Sequence, residues 1–179
     1  MNRASALKKL TEWDKRGHYV FTLADLSKMF AEDSPKTLQA GLNRLVKEGI
    51  LTRPVRGVYL FNLAHSGDSY AIEHIARALR RGEYNYVSLE SALSEYGVIS
   101  QIPIDRLTVM TTGRKGTYHT PFGTIEFTHT KRSQQDILAG MVQVNRPLRI
   151  ATPECALRDL KRVGRNVHLV NEKALLNDK

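Results

Sequence analysis

The amino-acid sequence predicts an α+β protein, and three features support this prediction. Apolar residues recur at helical spacing in some segments and form short strand-like runs in others. Ser, Thr, Pro and Gly stand where these segments begin and end. A polar stretch over residues 62–69 separates two such regions within the 179 residues, so we expect one domain at residues 1–65 and another at residues 66–179.

The first region starts with a helix whose apolar residues, including Leu10, recur at helical spacing and which ends before Gly17. Residues 19–21 read as a short strand. Thr22 then opens a second helix, because Thr22 and Asp25 have the spacing of a reciprocal capping box.

A third helix begins at Ser34 and Pro35, since Ser is a favoured N-cap and Pro a favoured first helical residue. It ends at Gly49, which suits the position after a helix C-terminus. Residues 50–55 and 58–61 then read as two strands around a tight turn. Helix, strand, helix, turn, helix, strand, turn, strand is the order of a winged helix-turn-helix domain.

The second region predicts a mixed α/β domain large enough for a core of its own. Its strands are expected at residues 107–111, 117–120, 124–129 and 148–151, and its helices at 69–81, 89–96, 134–138 and 154–163. Ser88 is expected to cap the short helix that follows it. Residues 112–116 read as a glycine-bounded hairpin turn.

The charge balance favours a polyanionic partner. The chain has 27 Lys and Arg against 18 Asp and Glu, a net charge of +9 and a sequence pI near 9.8. Residues 1–64 carry 11 of these cations and 6 of the acids, a net of +5 in about a third of the chain. Nucleic acid is the first partner that such an excess suggests.

The third helix carries much of this charge on its outward face. Leu38, Leu42, Leu45 and Val46 share the inward face, and opposite them lie Lys36, Ala40, Asn43, Arg44 and Lys47. In a helix-turn-helix this outward face enters the major groove, where Asn pairs with adenine and Lys or Arg contacts guanine or phosphate. Ala40 allows close approach and contact with a thymine methyl. Ser34 and the helix start are expected to hold a phosphate, and Arg53 and Arg56 flank the wing turn.

A second basic surface is predicted in the C-terminal region. Arg114 and Lys115 would lie at the hairpin tip, and the other members are Arg146, Arg149, Arg158, Lys161, Arg162 and Arg165. Glu154 precedes Arg158 by four residues, so part of this charge is expected to form an ordinary pair within a helix. Two interpretations stay open: a solvated helix face and a second nucleic-acid contact.

Motifs for catalysis are missing from the sequence, and we expect no enzyme, cofactor or metal site. Nucleotide-binding glycine loops, HExxH and GxSxG do not occur, and the six histidines lack ligand spacing. Asp105 and Glu126 are candidate nuclease carboxylates, but no lysine stands two residues after Glu126 to stabilise an attacked phosphate. Cys155, the single cysteine, reads as a small packed side chain. Without a secretion signal or an apolar run long enough to cross a bilayer, a cytoplasmic location is expected.

Several segments resemble the AbiEi-type antitoxin family. They are Phe21-Thr-Leu-Ala-Asp-Leu26, Leu42-Asn-Arg-Leu45, Gly49-Ile-Leu51, Arg56-Gly-Val-Tyr59, Tyr86-Val-Ser-Leu-Glu-Ser-Ala-Leu93, Thr111-Thr-Gly-Arg114, Ile150-Ala-Thr-Pro-Glu154 and Ala156-Leu-x-Asp-Leu160. The resemblance covers nearly the whole chain. The combination of the wing with Ala-Thr-Pro-Glu and Asp-Leu is more specific than the wing motif alone.

This resemblance implies the antitoxin of a type IV toxin–antitoxin system, associated with abortive infection and phage defence. Such a protein represses its own promoter by binding inverted repeats in double-stranded DNA. It counters a nucleotidyltransferase-like toxin without a stable complex, a role associated with the C-terminal domain. The positions that match the family's DNA-facing residues are Lys36, Thr37, Asn43, Arg44, Lys47, Arg53 and Arg56.

One regulatory alternative also follows from the sequence. A winged-helix regulator could use its second domain to sense a small ligand, which would require a pocket of several hundred Å³ with convergent polar groups. A nucleic-acid-processing enzyme built on Asp105 and Glu126 is the remaining alternative.

Overall fold

The computed structural model describes residues 1–100 and 105–176. The chain divides into two compact units, residues 1–79 (unit 1) and residues 80–179 (unit 2). The sequence placed the boundary earlier, between residues 65 and 66. The difference arises because a helix at Ala71–Leu79 packs on the first strand of unit 1 and is therefore part of that unit.

Unit 1 has the element order of a winged helix-turn-helix. Its elements are α1 (Arg3–Asp14), β1 (Val20–Thr22), α2 (Leu23–Met29), α3 (Pro35–Lys47), β2 (Leu51–Val55), β3 (Val58–Phe61) and α4 (Ala71–Leu79). The three strands form an antiparallel sheet in the order β1-β3-β2. This confirms the fold class predicted for the N-terminal region.

Local capping explains why the helices of unit 1 begin where they do. The Thr22 hydroxyl accepts from the backbone N–H of Asp25, and the Asp25 carboxylate accepts from the backbone N–H of Thr22, as a capping box requires. At α3 the Ser34 hydroxyl accepts from the backbone N–H of Thr37, and Pro35 is the first helical residue. The start signals read from the sequence are therefore confirmed.

The core of unit 1 lies beneath α3. Leu38, Leu42 and Leu45 of α3 are at most 4% exposed and pack with buried residues of α1, α2 and the sheet. Val46 is only half-buried at the border of this cluster. One face of α3 is therefore fixed against the core, and the opposite face points to solvent.

A buried carboxylate ties the segment after the wing back to α1. Asp14, 4% exposed, accepts hydrogen bonds from the backbone N–H groups of His65 and Ser66 and from the Ser66 hydroxyl. Burial alone would raise the pKa of Asp14, but the hydrogen bonds from Ser66 and His65 outweigh burial and lower it. Residues 62–69, predicted as a boundary, are thus attached to unit 1.

Unit 2 is a mixed α/β unit. Its elements are β4 (Asn85–Val87), α5 (Leu89–Glu95), β5 (Arg106–Thr111), β6 (Gly116–Thr120), β7 (Gly123–His129), α6 (Gln134–Ala139), β8 (Met141–Val142), β9 (Arg149–Ala151), α7 (Pro153–Val163), a 3-10 turn at Val167–Leu169 and α8 (Glu172–Leu175). The sheet order is β6-β7-β5-β4-β9-β8, with β5 parallel to β7 and β4 parallel to β9. The predicted fold class is confirmed here as well.

The predicted hairpin turn at residues 112–116 is wrong. β5 and β6 are not neighbours, because β7 lies between them and pairs in parallel with β5. The hairpin is formed instead by β6 and β7, which pair in antiparallel fashion around the Thr120–Gly123 turn. Arg114 and Lys115 therefore lie on a crossover connection rather than at a hairpin tip. In the described part of the chain, no helix is both long and apolar enough to cross a membrane.

Candidate nucleic-acid interface

The outward face of α3 and the adjoining wing carry all nine predicted DNA-binding residues. Each is exposed: Ser34, Lys36, Thr37, Ala40, Asn43, Arg44, Lys47, Arg53 and Arg56. Those on α3 face away from the core because the helix buries its leucines on the other side. The structure therefore brings the predicted set onto solvent-exposed surface of α3 and the wing.

The cations of this surface have no carboxylate partner in the described part of the chain. Across residues 1–100 and 105–176, no ion pair is formed by Lys36, Arg44, Lys47, Arg53 or Arg56. Glu48 is the one carboxylate between residues 34 and 56, and it lies 3.5 Å from the Arg3 guanidinium. The positive charges of the outward face are thus available to bind an external anion.

The start of α3 is partly occupied by its own cap. Ser34 Oγ lies 2.9 Å from Thr37 Oγ1 and also accepts from the Thr37 backbone N–H. Either Ser34 or Thr37 donates its hydroxyl hydrogen to the other side chain. The hydroxyl that accepts in this contact keeps its own hydrogen available to donate. The Thr37 N–H is therefore occupied by the cap, and the predicted phosphate contact at this helix start would use the free hydroxyl hydrogen of the pair and the Lys36 N–H.

Gln39 is a site residue that the sequence interpretation missed. Its side-chain amide donates to Asn43 Oδ1 at 3.0 Å and lies 3.5 Å from the Tyr59 hydroxyl on β3. This orients the Asn43 amide and leaves its NH2 group free to donate. Gln is, like Asn, a residue that reads adenine. The spacing of four residues to Asn43 was the signal that could have revealed Gln39.

Arg44 is held against the start of the chain. Its guanidinium donates to the Met1 carbonyl oxygen at 2.8 Å. A Cβ added at Gly41 would lie 2.5 Å from the terminal methyl of Met1, so the Met1 side chain would have to shift to accommodate a larger residue there. A guanidinium has five N–H donors, so Arg44 retains most of them for a phosphate or a guanine.

The wing holds its two arginines in different ways. The Arg53 guanidinium lies over the Tyr59 ring, 5.8 Å from its centroid, which restrains the side chain beside α3. Arg56 lies in the two-residue turn between β2 and β3, where Gly57 has a φ of +81°. The Gly57 carbonyl accepts from the backbone N–H of Leu23 at 2.8 Å, which attaches the turn to α2.

Two members of the predicted second basic surface are already paired with glutamates. Arg146 donates to both oxygens of Glu95, at 2.9 and 2.8 Å, and Arg165 pairs with Glu90 and Glu126. These pairs offset the charge of two predicted members. Arg149 donates to Gln143 at 2.9 Å. The remaining members are exposed in two groups, Arg114 and Lys115 on the crossover connection and Arg158, Lys161 and Arg162 on α7.

Glu126 is engaged by arginine rather than by a second carboxylate. It contacts both Arg106 and Arg165, and the backbone N–H of Thr124 donates to the Asp105 carbonyl. Among residues 1–100 and 105–176, no three His, Cys, Asp or Glu side chains form a group suited to a metal ion. The nuclease alternative gains no support from these contacts.

A fully buried aspartate holds unit 2 together, and the sequence interpretation missed it. Asp159 accepts from the hydroxyls of Tyr86 and Ser88, at 3.1 and 2.8 Å, and from the Arg132 guanidinium at 3.0 Å. The Ser88 hydroxyl is used here, so it does not cap α5 as predicted. Burial and the nearby Asp159 raise the pKa of the Cys155 thiol, which suits a packed side chain.

Unit 1 thus belongs to the class of winged helix-turn-helix modules that transcriptional regulators use. Residues 8–62 match the family model described as transcriptional regulator, AbiEi antitoxin. The resemblance read from the sequence is therefore confirmed over that segment.

One solved structure extends the likeness beyond unit 1. The RV2827C protein from Mycobacterium tuberculosis aligns with a TM-score of 0.58 at 16% sequence identity. The alignment covers 88% of this chain and 60% of that chain, so this chain spans about three fifths of the similar structure. At this identity the likeness shows the fold alone. No curated protein matches the chain.

Proposed function

We propose that this chain is a DNA-binding transcriptional repressor of its own promoter and the antitoxin of a type IV toxin–antitoxin pair. The observation that carries the DNA-binding part is the exposed face of α3 beside the wing, where Lys36, Lys47 and Arg56 have no ionic partner in the described chain. A face of this composition on this fold suits the major groove and its phosphates.

The roles proposed for the side chains follow from their chemistry. Asn43, oriented by Gln39, is placed to read an adenine, and Arg44 a guanine or a phosphate. Ala40 lies one helical turn before them on the outward face, where its small side chain lets a base approach closely. Lys36 and Lys47, near the two ends of α3, supply sequence-independent contacts with phosphates.

The antitoxin part rests on the family to which residues 8–62 are similar. We infer a nucleotidyltransferase-like toxin as the functional partner, inverted repeats in the promoter as the DNA site, and the cytoplasm as the location. The chain would act by binding rather than by catalysis. A role in abortive infection and phage defence belongs to the same proposal. The ligand-sensing regulator stays an alternative prediction.

A charge-reversal variant tests DNA binding. Arg44→Glu with Lys47→Glu places two carboxylates on exposed positions of α3, so we expect the fold to persist and binding to the promoter duplex to be lost. Fluorescence anisotropy measures binding, and circular dichroism with thermal unfolding checks the fold. A folded variant that binds the promoter as well as the parent chain would overturn the assignment of this face.

A growth assay tests the antitoxin role separately. The full chain and its charge-reversal variant are each co-expressed from a constitutive promoter with the nucleotidyltransferase-like product of the neighbouring gene. Rescue of growth by the parent chain is the expected result. Toxicity unchanged by the parent chain would overturn the antitoxin role and leave the DNA-binding role standing.

A further inference from the structure

Helix α7 borders a groove in unit 2 that DNA binding by α3 does not use. The groove has a volume of about 380 Å³ and is lined by Glu154, Leu157, Arg158, Lys161, Leu175 and Leu176. The four residues from α7 recur at positions i, i+3, i+4 and i+7 and so form one stripe along the helix. This stripe is separate from the buried residues of α7, which include Ala156 and Leu160.

The lining of this groove is largely apolar. Leu176 is 71% exposed, and Leu157 and Leu175 are half-buried. The wall that carries Leu175 and Leu176 is anchored, because the backbone N–H of Asn171, just before α8, donates to the Val98 carbonyl at 2.8 Å. Unit 2 thus presents leucines on an anchored wall beside α7.

The rim of the groove is basic, and its cations are available. Lys161, which lines the groove, forms no ion pair with any of the residues that the structure describes. The pairing of Arg158 with Glu154 predicted from the sequence does not form, since the Arg158 guanidinium lies 3.6 Å from Cys155 Sγ, a weak acceptor. Arg158 therefore keeps donors for a carboxylate.

A second groove extends the surface towards α6. It has a volume of about 290 Å³ and shares Glu154 and Arg158 with the first. Asp136 of α6 lines only this second groove and Lys161 lines only the first, while Glu154 and Arg158 lie between them, so the charge along α7 changes from acidic to basic. The surface along α7 thus has both a continuous length and a direction.

We propose that the α7–α8 groove binds a helical segment of a partner protein that carries leucine-like side chains flanked by carboxylates. The leucines that line the groove favour a protein segment over nucleic acid, because phosphates would leave Leu157, Leu175 and Leu176 uncovered. The basic rim selects carboxylates and sets the direction of the segment. This binding is independent of the DNA contacts of α3.

Two synthetic helical peptides provide the test. They share one stripe of leucines, which is flanked by glutamates in one peptide and by lysines in the other. Both are labelled and titrated with the full chain while fluorescence anisotropy is recorded. We expect the glutamate peptide to bind at least about tenfold more tightly than the lysine peptide, and binding to weaken as salt rises.

Three variants locate the binding site. Lys161→Glu and Leu176→Gln are each expected to weaken binding of the glutamate peptide about tenfold, because the first removes a rim charge and the second an apolar contact of the wall. Lys115→Glu makes the same charge change at an exposed position outside the groove and is the matched control. Thermal unfolding checks that all three variants fold.

Several results would overturn the proposal. Equal binding of the two peptides, or equal weakening by Lys161→Glu and Lys115→Glu, would remove the groove's selectivity. A dimer of this chain that Leu176→Gln dissociates, detected by light scattering, would assign the groove to a second copy. Duplex DNA that displaces the glutamate peptide, and whose own binding depends on Lys161 but not on Leu176, would assign it to nucleic acid.

Discussion

Neutralising the two lysines near the ends of the outward face of α3 gives the sharpest test of the DNA contact. Lys36→Gln with Lys47→Gln removes two exposed cations that have no ionic partner in the described chain. The two positions are separated by roughly 16 Å along the helix axis at 1.5 Å per residue. Each is therefore expected to contact a different phosphate.

The expected magnitude follows from counterion release. Each phosphate contact contributes about 0.9 to the slope of log K against log salt concentration on duplex DNA. Losing two contacts lowers the slope by about 1.8, which at about 0.15 M salt corresponds to roughly thirtyfold weaker binding. Because glutamine keeps most of the side-chain volume, the unfolding free energy should change little.

The assay is a salt titration of binding by anisotropy, with the promoter duplex and with a duplex of unrelated sequence. Phosphate contacts carry no sequence information, so both duplexes should lose affinity by the same factor. The matched control is Lys8→Gln with Lys15→Gln, which removes the same charge from one exposed position on α1 and from its exposed C-cap. This control separates local contacts from net charge.

The reasoning would be refuted by equal slopes in the two double variants. It would also be refuted by a Lys36→Gln, Lys47→Gln variant that binds with the parent slope. In either case the charge of α3 would not contact phosphate.

Three further predictions concern stability. Gly57→Ala should lower the unfolding free energy by about 1 kcal/mol, since Gly57 has a φ of +81° and an added Cβ meets no atom within 4 Å; an unchanged value in chemical denaturation would contradict this. Because the pKa of Asp14 is lowered in the folded chain, its ionised carboxylate stabilises the fold fully above about pH 4, and this contribution is lost as pH falls through the folded pKa. The loss of unfolding free energy caused by Asp14→Asn should therefore become smaller in acid, as chemical denaturation at several pH values would measure. Asp159→Ala should cost about 3–5 kcal/mol by leaving the Arg132 guanidinium without its carboxylate, and a cost under about 1 kcal/mol would argue against the buried network.

The helix starts and the outward face of α3 could be predicted because they depend on neighbouring residues. The Thr22 capping box and the Ser34 cap each involve residues three apart, and one periodic pattern decides which face of α3 is buried. Gln39 was not predicted as a site residue because its position depends on the contact with Tyr59, and only the packing of the wing brings Tyr59 near α3.

The parts of unit 2 that could not be predicted depend on partners distant in sequence. Ser88 was predicted to cap a helix, yet its hydroxyl donates a hydrogen bond to Asp159 on α7. Arg146 and Arg165 looked like members of one basic surface, yet each pairs with a glutamate from a remote segment. Charge counted along a sequence cannot reveal which cations are already paired in the fold.

The sequence by itself determined the helix order of unit 1, the caps that start α2 and α3, and the basic composition of the face beside the wing, because these rest on local spacing and composition. Only the tertiary structure decided that β5 pairs with β7 rather than with β6, that α4 belongs with unit 1, and which cations of unit 2 remain available. The physical reason is that strand pairing and ion pairing join groups whose distance along the chain is unrelated to their distance in space.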